Sequence, residues 1–179
     1  MTVLNIPNSL TLTRIVMIPV FITAITYSRY RLALYFFVIA GITDLLDGLV
    51  ARLTNQKTAL GTFLDPLADK FLLVSSFILF AIYGWIPKWL AIAVISRDLI
   101  VVIGWLLIYM ITHNPRVETI MLGKLAIALQ LCTLAYILLA VNYTSLPPVP
   151  GFLLFLTTLT TALSGLQYIY RGFKITNAA

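Results

Sequence analysis

The chain has 179 residues, 61% hydrophobic and only 10% charged, and its mean hydropathy is +1.01. Soluble domains average about 45–50% apolar and roughly 25% charged residues, so a soluble single-core protein of this length is excluded. Lys and Arg number 12 against 6 acidic residues, and they stand singly between apolar runs, a pattern that fits membrane topology and anionic headgroups rather than nucleic acid.

A membrane crossing needs about 20 apolar residues, so roughly six helices fit. Hydropathy predicts spans at about Leu10–Tyr27, Leu32–Val50, Leu60–Gly84, Trp89–Thr112, Met121–Val141 and Gly151–Tyr170. The expected fold is an all-α integral membrane bundle of six transmembrane helices, one domain over residues 1–179. The N-terminal MTVLNIPNSLTLTR lacks a basic n-region and a cleavage site, so the first helix is expected to be retained. Between the spans lie turn-forming stretches: Ser28 to Arg31, Asn55 to Lys57, Gly84 to Lys88, His113 to Arg116 and Pro147 to Pro150. Tyr27, Tyr30, Trp85, Trp89, Tyr143 and Tyr170 fall near these breaks, as interfacial aromatics do. Cys132 is the lone cysteine, which excludes an intrachain disulfide framework.

Six spans put both termini on one side. That side carries Arg14, Arg52, Lys57, Arg116, Arg171 and Lys174, against Arg29, Arg31 and Lys88 on the other. The positive-inside rule then places the termini and the second-to-third loop in the cytoplasm.

The acidic residues are the anomaly. Asp44, Asp47, Asp65, Asp69 and Asp98 fall inside or at the edges of predicted spans; Glu118 does not. An Asp at a helix centre costs about 2.5–3.5 kcal/mol on insertion scales, so intramembrane carboxylates call for a function or a partner. The structural alternative is ion pairing with Arg52, Lys70 and Arg97. Spacing argues for more than that. Asp44 and Asp47 are three apart and Asp65 and Asp69 four apart, spacings that put each pair on one helix face. A short loop makes the two helices antiparallel neighbours, so the pairs can converge. Four converging carboxylates repel unless cations lie between them. Hard oxygen donors select Mg²⁺, Mn²⁺ or Ca²⁺ over zinc, with open positions for phosphate oxygens. Gly48, Ala51 and Gly61 are small residues that admit a bulky ligand or a close helix. Arg52, one turn beyond Asp47, can grip a phosphate.

Residues 44–69 read DLLDGLVARLTNQKTALGTFLDPLAD. The segment resembles the CDP-alcohol phosphatidyltransferase signature, D-x2-D-G-x2-A-R-x8-G-x3-D-x3-D, at every fixed position. The opening NIPNSLTLTR, the Ser96-Arg97-Asp98 triplet and the Gly123-Lys124 pair extend the likeness along the chain. The resemblance implies a homodimeric enzyme whose cavity opens to the cytoplasmic leaflet of a bacterial membrane. It implies that Asp44, Asp47, Asp65 and Asp69 hold two divalent ions, Mg²⁺ or Mn²⁺, with Asp69 also the general base. Gly48, Ala51, Arg52 and Gly61 match positions that hold the CDP part of CDP-diacylglycerol, and Asn8, Thr11 and Arg14 match positions flanking that pocket. The implied reaction transfers a phosphatidyl group to an alcohol and releases CMP.

The LDPLADK run is similar to branches with glycerol-type acceptors. ALGTFLDPLADK, ISRD and the TTALSGLQYIYRGFK ending look more like the branch that uses phosphatidylglycerol, the eukaryotic-type cardiolipin synthases, and Trp105 stands where the glycerol 3-phosphate branch typically carries a second Arg. Glycerol 3-phosphate is the alternative acceptor, with Arg97, Lys124 and Arg171 assembling its phosphate site. Arg97 is expected to meet an acceptor phosphate rather than Asp98, because adjacent helical residues face apart. A divalent-cation transporter is the rival from another class. It would call for inverted repeats or broken helix pairs, and the sequence shows neither.

Overall fold

The computed structural model describes the backbone of residues 6–54, 59–112, 121–143 and 145–176, and the side chains of 13–43, 70–104, 106–107, 110, 121–143 and 145–172. Among the described residues there are six α-helices and no strand: α1 Ile6–Thr26, α2 Tyr30–Thr54, α3 Ala59–Ile82, α4 Lys88–Thr112, α5 Met121–Asn142 and α6 Gly151–Thr176. Each coincides with a predicted span, and several run past the apolar edge. Helix α6 continues beyond Tyr170 through Arg171 and Lys174, because backbone hydrogen bonding does not stop where hydropathy does. Helix α3 runs unbroken through Pro66. Met121–Asn142 and Gly151–Gly172 are long and apolar enough to cross a membrane among the described residues.

Two turns show how the chain reverses. Helix α1 ends with Ser28 at φ 56°, the Ser28 amide donating to the Ile25 carbonyl at 2.9 Å and the Arg29 amide to the Ala24 carbonyl at 2.7 Å. Helix α3 ends the same way on Gly84 at φ 73°: the Gly84 amide donates to Ala81 and the Trp85 amide to Phe80. This is the Schellman arrangement, which satisfies carbonyls that a helix end would otherwise leave open. The accompanying apolar contact is present at the second turn, where the Phe80 and Trp85 rings lie 5.1 Å apart.

The contacts group the chain into two units, residues 1–79 with 138–146, and 80–137 with 147–179. In the first, α1 packs on α2. Ile18, Phe21 and Ile25 on α1 and Ala33, Phe37 and Ala40 on α2 are buried, repeats of three and four that define one stripe on each helix. The alanines let the backbones approach, and Phe21 and Phe37 fill the seam with ring centroids 6.2 Å apart. Asn142, at the end of α5, donates to the Tyr30 carbonyl at 3.0 Å and ties that end to the start of α2.

In the second unit α4 packs on α6, and α5 joins α6 through polar side chains. Gln130 Nε2 donates to Thr161 Oγ1 at 3.0 Å, and Thr133 and Thr157 share a 2.8 Å hydroxyl contact. Each of these two hydroxyls also lies 2.8 Å from a carbonyl one turn back. A hydroxyl has one proton, so one threonine donates across the interface while the other keeps its own carbonyl. Polar groups are thus inside: Gln130, Thr133, Thr157, Thr161 and Ser164 are buried, while Met121 and Phe152 are 82% and 74% exposed. Apolar side chains such as Phe77, Leu134 and Ile137 are buried as well, but so much buried polar and exposed apolar surface departs from the distribution of a soluble protein. Tyr27, Trp89, Tyr143 and Tyr170 are exposed near helix ends, where interfacial aromatics are expected.

Candidate functional site

The signature carboxylates sit on two helices. Asp44 and Asp47 belong to α2 and Asp65 and Asp69 to α3. The helix is continuous through both pairs, so separations of three and four are true helical repeats. Gly48, Ala51 and Arg52 lie on α2, Gly61 on α3, and Asn8 and Thr11 on α1. The side chains of all these residues, and the convergence expected of the carboxylates, lie outside the described residues. The donor chemistry fits a hard divalent cation, since the segment from Asp44 to Asp69 offers carboxylates and no histidine or cysteine.

Four expected site residues have described side chains. Arg14, on α1, is 1% exposed despite its charge. Lys124 on α5 is exposed and Arg171 on α6 is half-buried. Arg97, on α4, is the centre of a polar cluster inside the second unit and is 4% exposed.

That cluster corrects one expectation. Arg97 Nη1 lies 2.7 Å from Asp98 Oδ1, a buried ion pair between sequence neighbours. Adjacent Cβ atoms do diverge on a helix, but the long arginine side chain can bend sideways, and burial of both charges favours their meeting. The rest of the guanidinium is also engaged. Nη2 and Nε donate to Ser164 Oγ at 2.9 and 3.3 Å, and the group stands 5.5 Å from the Tyr168 ring centroid, within cation–π range. Two glycines leave the room for it. A Cβ at Gly123 would come within 3.2 Å of Arg97 Nη2 and 3.1 Å of Tyr168 Oη, and one at Gly165 within 3.4 Å of Arg97 Cγ. Sequence reasoning singled out Arg97 but missed Ser164, Gly165 and Tyr168. Their separation of one turn on α6 was the available signal.

A helical chain with polar side chains in its interior, large apolar ones on its surface and paired carboxylates at helical spacing defines a class of protein rather than a member of it. A sequence profile of the CDP-alcohol phosphatidyltransferases matches residues 4–164, and the chain belongs to that family. The family is membrane-associated and generally uses divalent metal ions. The chain is similar to a cardiolipin synthase (CMP-forming) of Homo sapiens, 34% identical over 95% of this chain and 62% of the human protein. It is also similar to CDP-diacylglycerol--glycerol-3-phosphate 3-phosphatidyltransferases. The Bacillus subtilis one is 32% identical over 95% of this chain and 96% of that protein. The Escherichia coli K12 one is 34% identical over 92% and 93%. The chain therefore spans about three-fifths of the length of the animal relatives it matches.

Proposed function

We propose that the protein is an integral membrane enzyme of phospholipid biosynthesis that transfers a phosphatidyl group from CDP-diacylglycerol to phosphatidylglycerol and releases CMP. The observation that carries this reading is the complete signature from Asp44 to Asp69, its fixed positions on α2 and α3, within a family match over residues 4–164. Nothing in the comparisons supports a transporter.

In this reading the six helices cross a bacterial cytoplasmic membrane as one catalytic domain, both termini cytoplasmic, and two copies form a homodimer. Asp44, Asp47, Asp65 and Asp69 hold two ions, Mg²⁺ or Mn²⁺, which when bound neutralise the diphosphate oxygens and stabilise the charge that develops there. Gly48, Ala51 and Gly61 leave space for the CDP moiety, Arg52 grips a phosphate, and Asn8, Thr11 and Arg14 flank the pocket. The acceptor hydroxyl oxygen attacks the phosphorus that carries the diacylglycerol. The bond from that phosphorus to the CMP oxygen breaks, CMP leaves with the electron pair, and Asp69 takes the hydroxyl proton. The acyl chains of the donor stay in lipid, which is why membrane helices suit the chemistry.

The Arg97 cluster supports phosphatidylglycerol as acceptor. Arg97, Lys124 and Arg171 are the proposed acceptor contacts, but the Arg97 guanidinium is already held by Asp98 and Ser164. The dianion of glycerol 3-phosphate needs several uncommitted cationic donors. A phosphodiester with a neutral diol needs fewer. Glycerol 3-phosphate is the second reading, favoured by the near full-length match to the Bacillus subtilis protein.

The test is CMP release by purified protein given CDP-diacylglycerol and Mg²⁺ or Mn²⁺, with the two acceptors offered separately. Turnover with phosphatidylglycerol alone is expected. Turnover with glycerol 3-phosphate alone would replace the first reading with the second.

A further inference from the structure

The first unit carries a feature that the transfer reaction does not use. Where α1 turns into α2, an open surface cavity of about 500 Å³ is lined by Arg29, Arg31, Tyr35 and Leu32, together with Val141 and Asn142 from the end of α5. Beside it a second space of about 370 Å³ is walled mainly by apolar groups, Val20, Ala24 and Tyr27 among them. Arg29 and Leu32 line both, so the two share a wall.

Charge decides what such a site would take. No acidic residue occurs in residues 1–43 or 121–179, and the first carboxylate on α2, Asp44, lies thirteen positions beyond Arg31, too far along the helix to neutralise Arg29 and Arg31. Among the described residues neither arginine has an ion-pair partner. Both side chains are exposed at a helix turn, which leaves their guanidinium groups open to an anion from outside the chain. A guanidinium binds a phosphodiester through paired N–H donors. The apolar space is the complement to that phosphate. Its α1 residues recede from the turn at Tyr27, Ala24 and Val20, about two helical turns or ~10 Å of the helix, the way an acyl chain lies along a transmembrane helix. Asn142 holds the α5 end of the cavity to α2 through its 3.0 Å bond to the Tyr30 carbonyl.

We propose that the α1–α2 turn, with the end of α5, binds one anionic glycerophospholipid, its phosphate on Arg29 and Arg31 and an acyl chain along α1. Arg31 precedes Asp44 by thirteen positions on one helix, or ~20 Å of rise, so this site is separate from the signature carboxylates. The proposal rests on the membrane-spanning reading of α1 and α2 and is independent of the reaction.

Native mass spectrometry of the detergent-purified protein, offered phosphatidylserine or phosphatidylcholine, tests it. Phosphatidylserine is neither donor, acceptor nor product of the proposed reaction. Wild type and a Lys88→Gln control are expected to retain one phosphatidylserine, with a preference of about tenfold over phosphatidylcholine. The Arg29→Gln/Arg31→Gln double variant should lose that preference. Val20→Trp, which fills the apolar space and leaves both arginines, should weaken retention as well. CMP release in phosphatidylcholine liposomes should be unchanged in the double variant, which confirms that it folds. Equal retention by the double variant and wild type would overturn the proposal. So would displacement of the lipid by glycerophosphoserine at the same concentration as by the whole lipid, which would mark a phosphate site with no acyl component. Release of the protein from membranes by alkaline carbonate would instead refute the membrane reading beneath it.

Discussion

Arg97 and Asp98 show how far a single side chain can depart from its helical position. Both are buried, at 4% and 5% exposure, and their 2.7 Å contact makes each the other's counter-charge. Removing one member of a buried pair leaves the other uncompensated, at a cost of about 3–5 kcal/mol. Asp98→Ala should therefore lower the thermal unfolding midpoint sharply in detergent. Arg97→Met/Asp98→Leu, which removes both charges, should recover most of the loss. If Asp98→Ala unfolded at the wild-type temperature, the pair would have no structural weight. The pairing was not legible in the sequence, because helical spacing reports where Cβ atoms point and not how far an arginine can bend. Ser164 and Tyr168 were hidden for the same reason: their partner lies 67 positions away for Ser164, on another helix.

At the scale of elements, the six helices were legible because each carries an apolar run long enough to stand out from its flanks. The helix ends were less so. Gly84 advertises a left-handed position, since glycine reaches positive φ without a Cβ penalty. Ser28 takes the same role at φ 56° with no such signal. The two positions make opposite predictions. Ser28→Gly removes left-handed strain and should raise stability by about 0.5–1 kcal/mol, whereas Gly84→Ala introduces it and should cost about 1–2 kcal/mol. Unfolding of the two variants in one detergent checks the signs. A loss in Ser28→Gly would mean that the serine hydroxyl contributes more than its backbone costs. The hydroxyl is within reach of a donor, since Tyr30 Oη donates to Ser28 Oγ at 3.3 Å.

For the whole molecule, composition spoke first and most clearly. A chain 61% hydrophobic, with glutamine, threonine, serine and arginine buried and Phe71, Phe152 and Phe155 exposed, fits helices whose solvent is lipid rather than water. Six spans predict that reporters fused to the two termini both read cytoplasmic, and that one in the α1–α2 turn reads the opposite side. Termini on opposite sides would contradict six spans. The site was legible in part. Carboxylates cost so much in lipid that four within 26 positions demanded an explanation; their spacing pointed to a hard cation, and the likeness of their segment to the family signature pointed to the proposed reaction. The acceptor was not legible, because it depends on which cations are free, and Arg97 is not.

The central claim is that the signature carboxylates hold the ions on which transfer depends. The most direct measurement is CMP release from CDP-diacylglycerol by wild type and Asp47→Asn, each over a titration of Mg²⁺ or Mn²⁺. The substitution keeps the side chain's size and removes its charge. The account predicts a loss on the order of 10²-fold or more at saturating metal, with protein that folds and stays in the membrane. Full turnover by Asp47→Asn, or wild-type turnover that survives complete chelation, would contradict it.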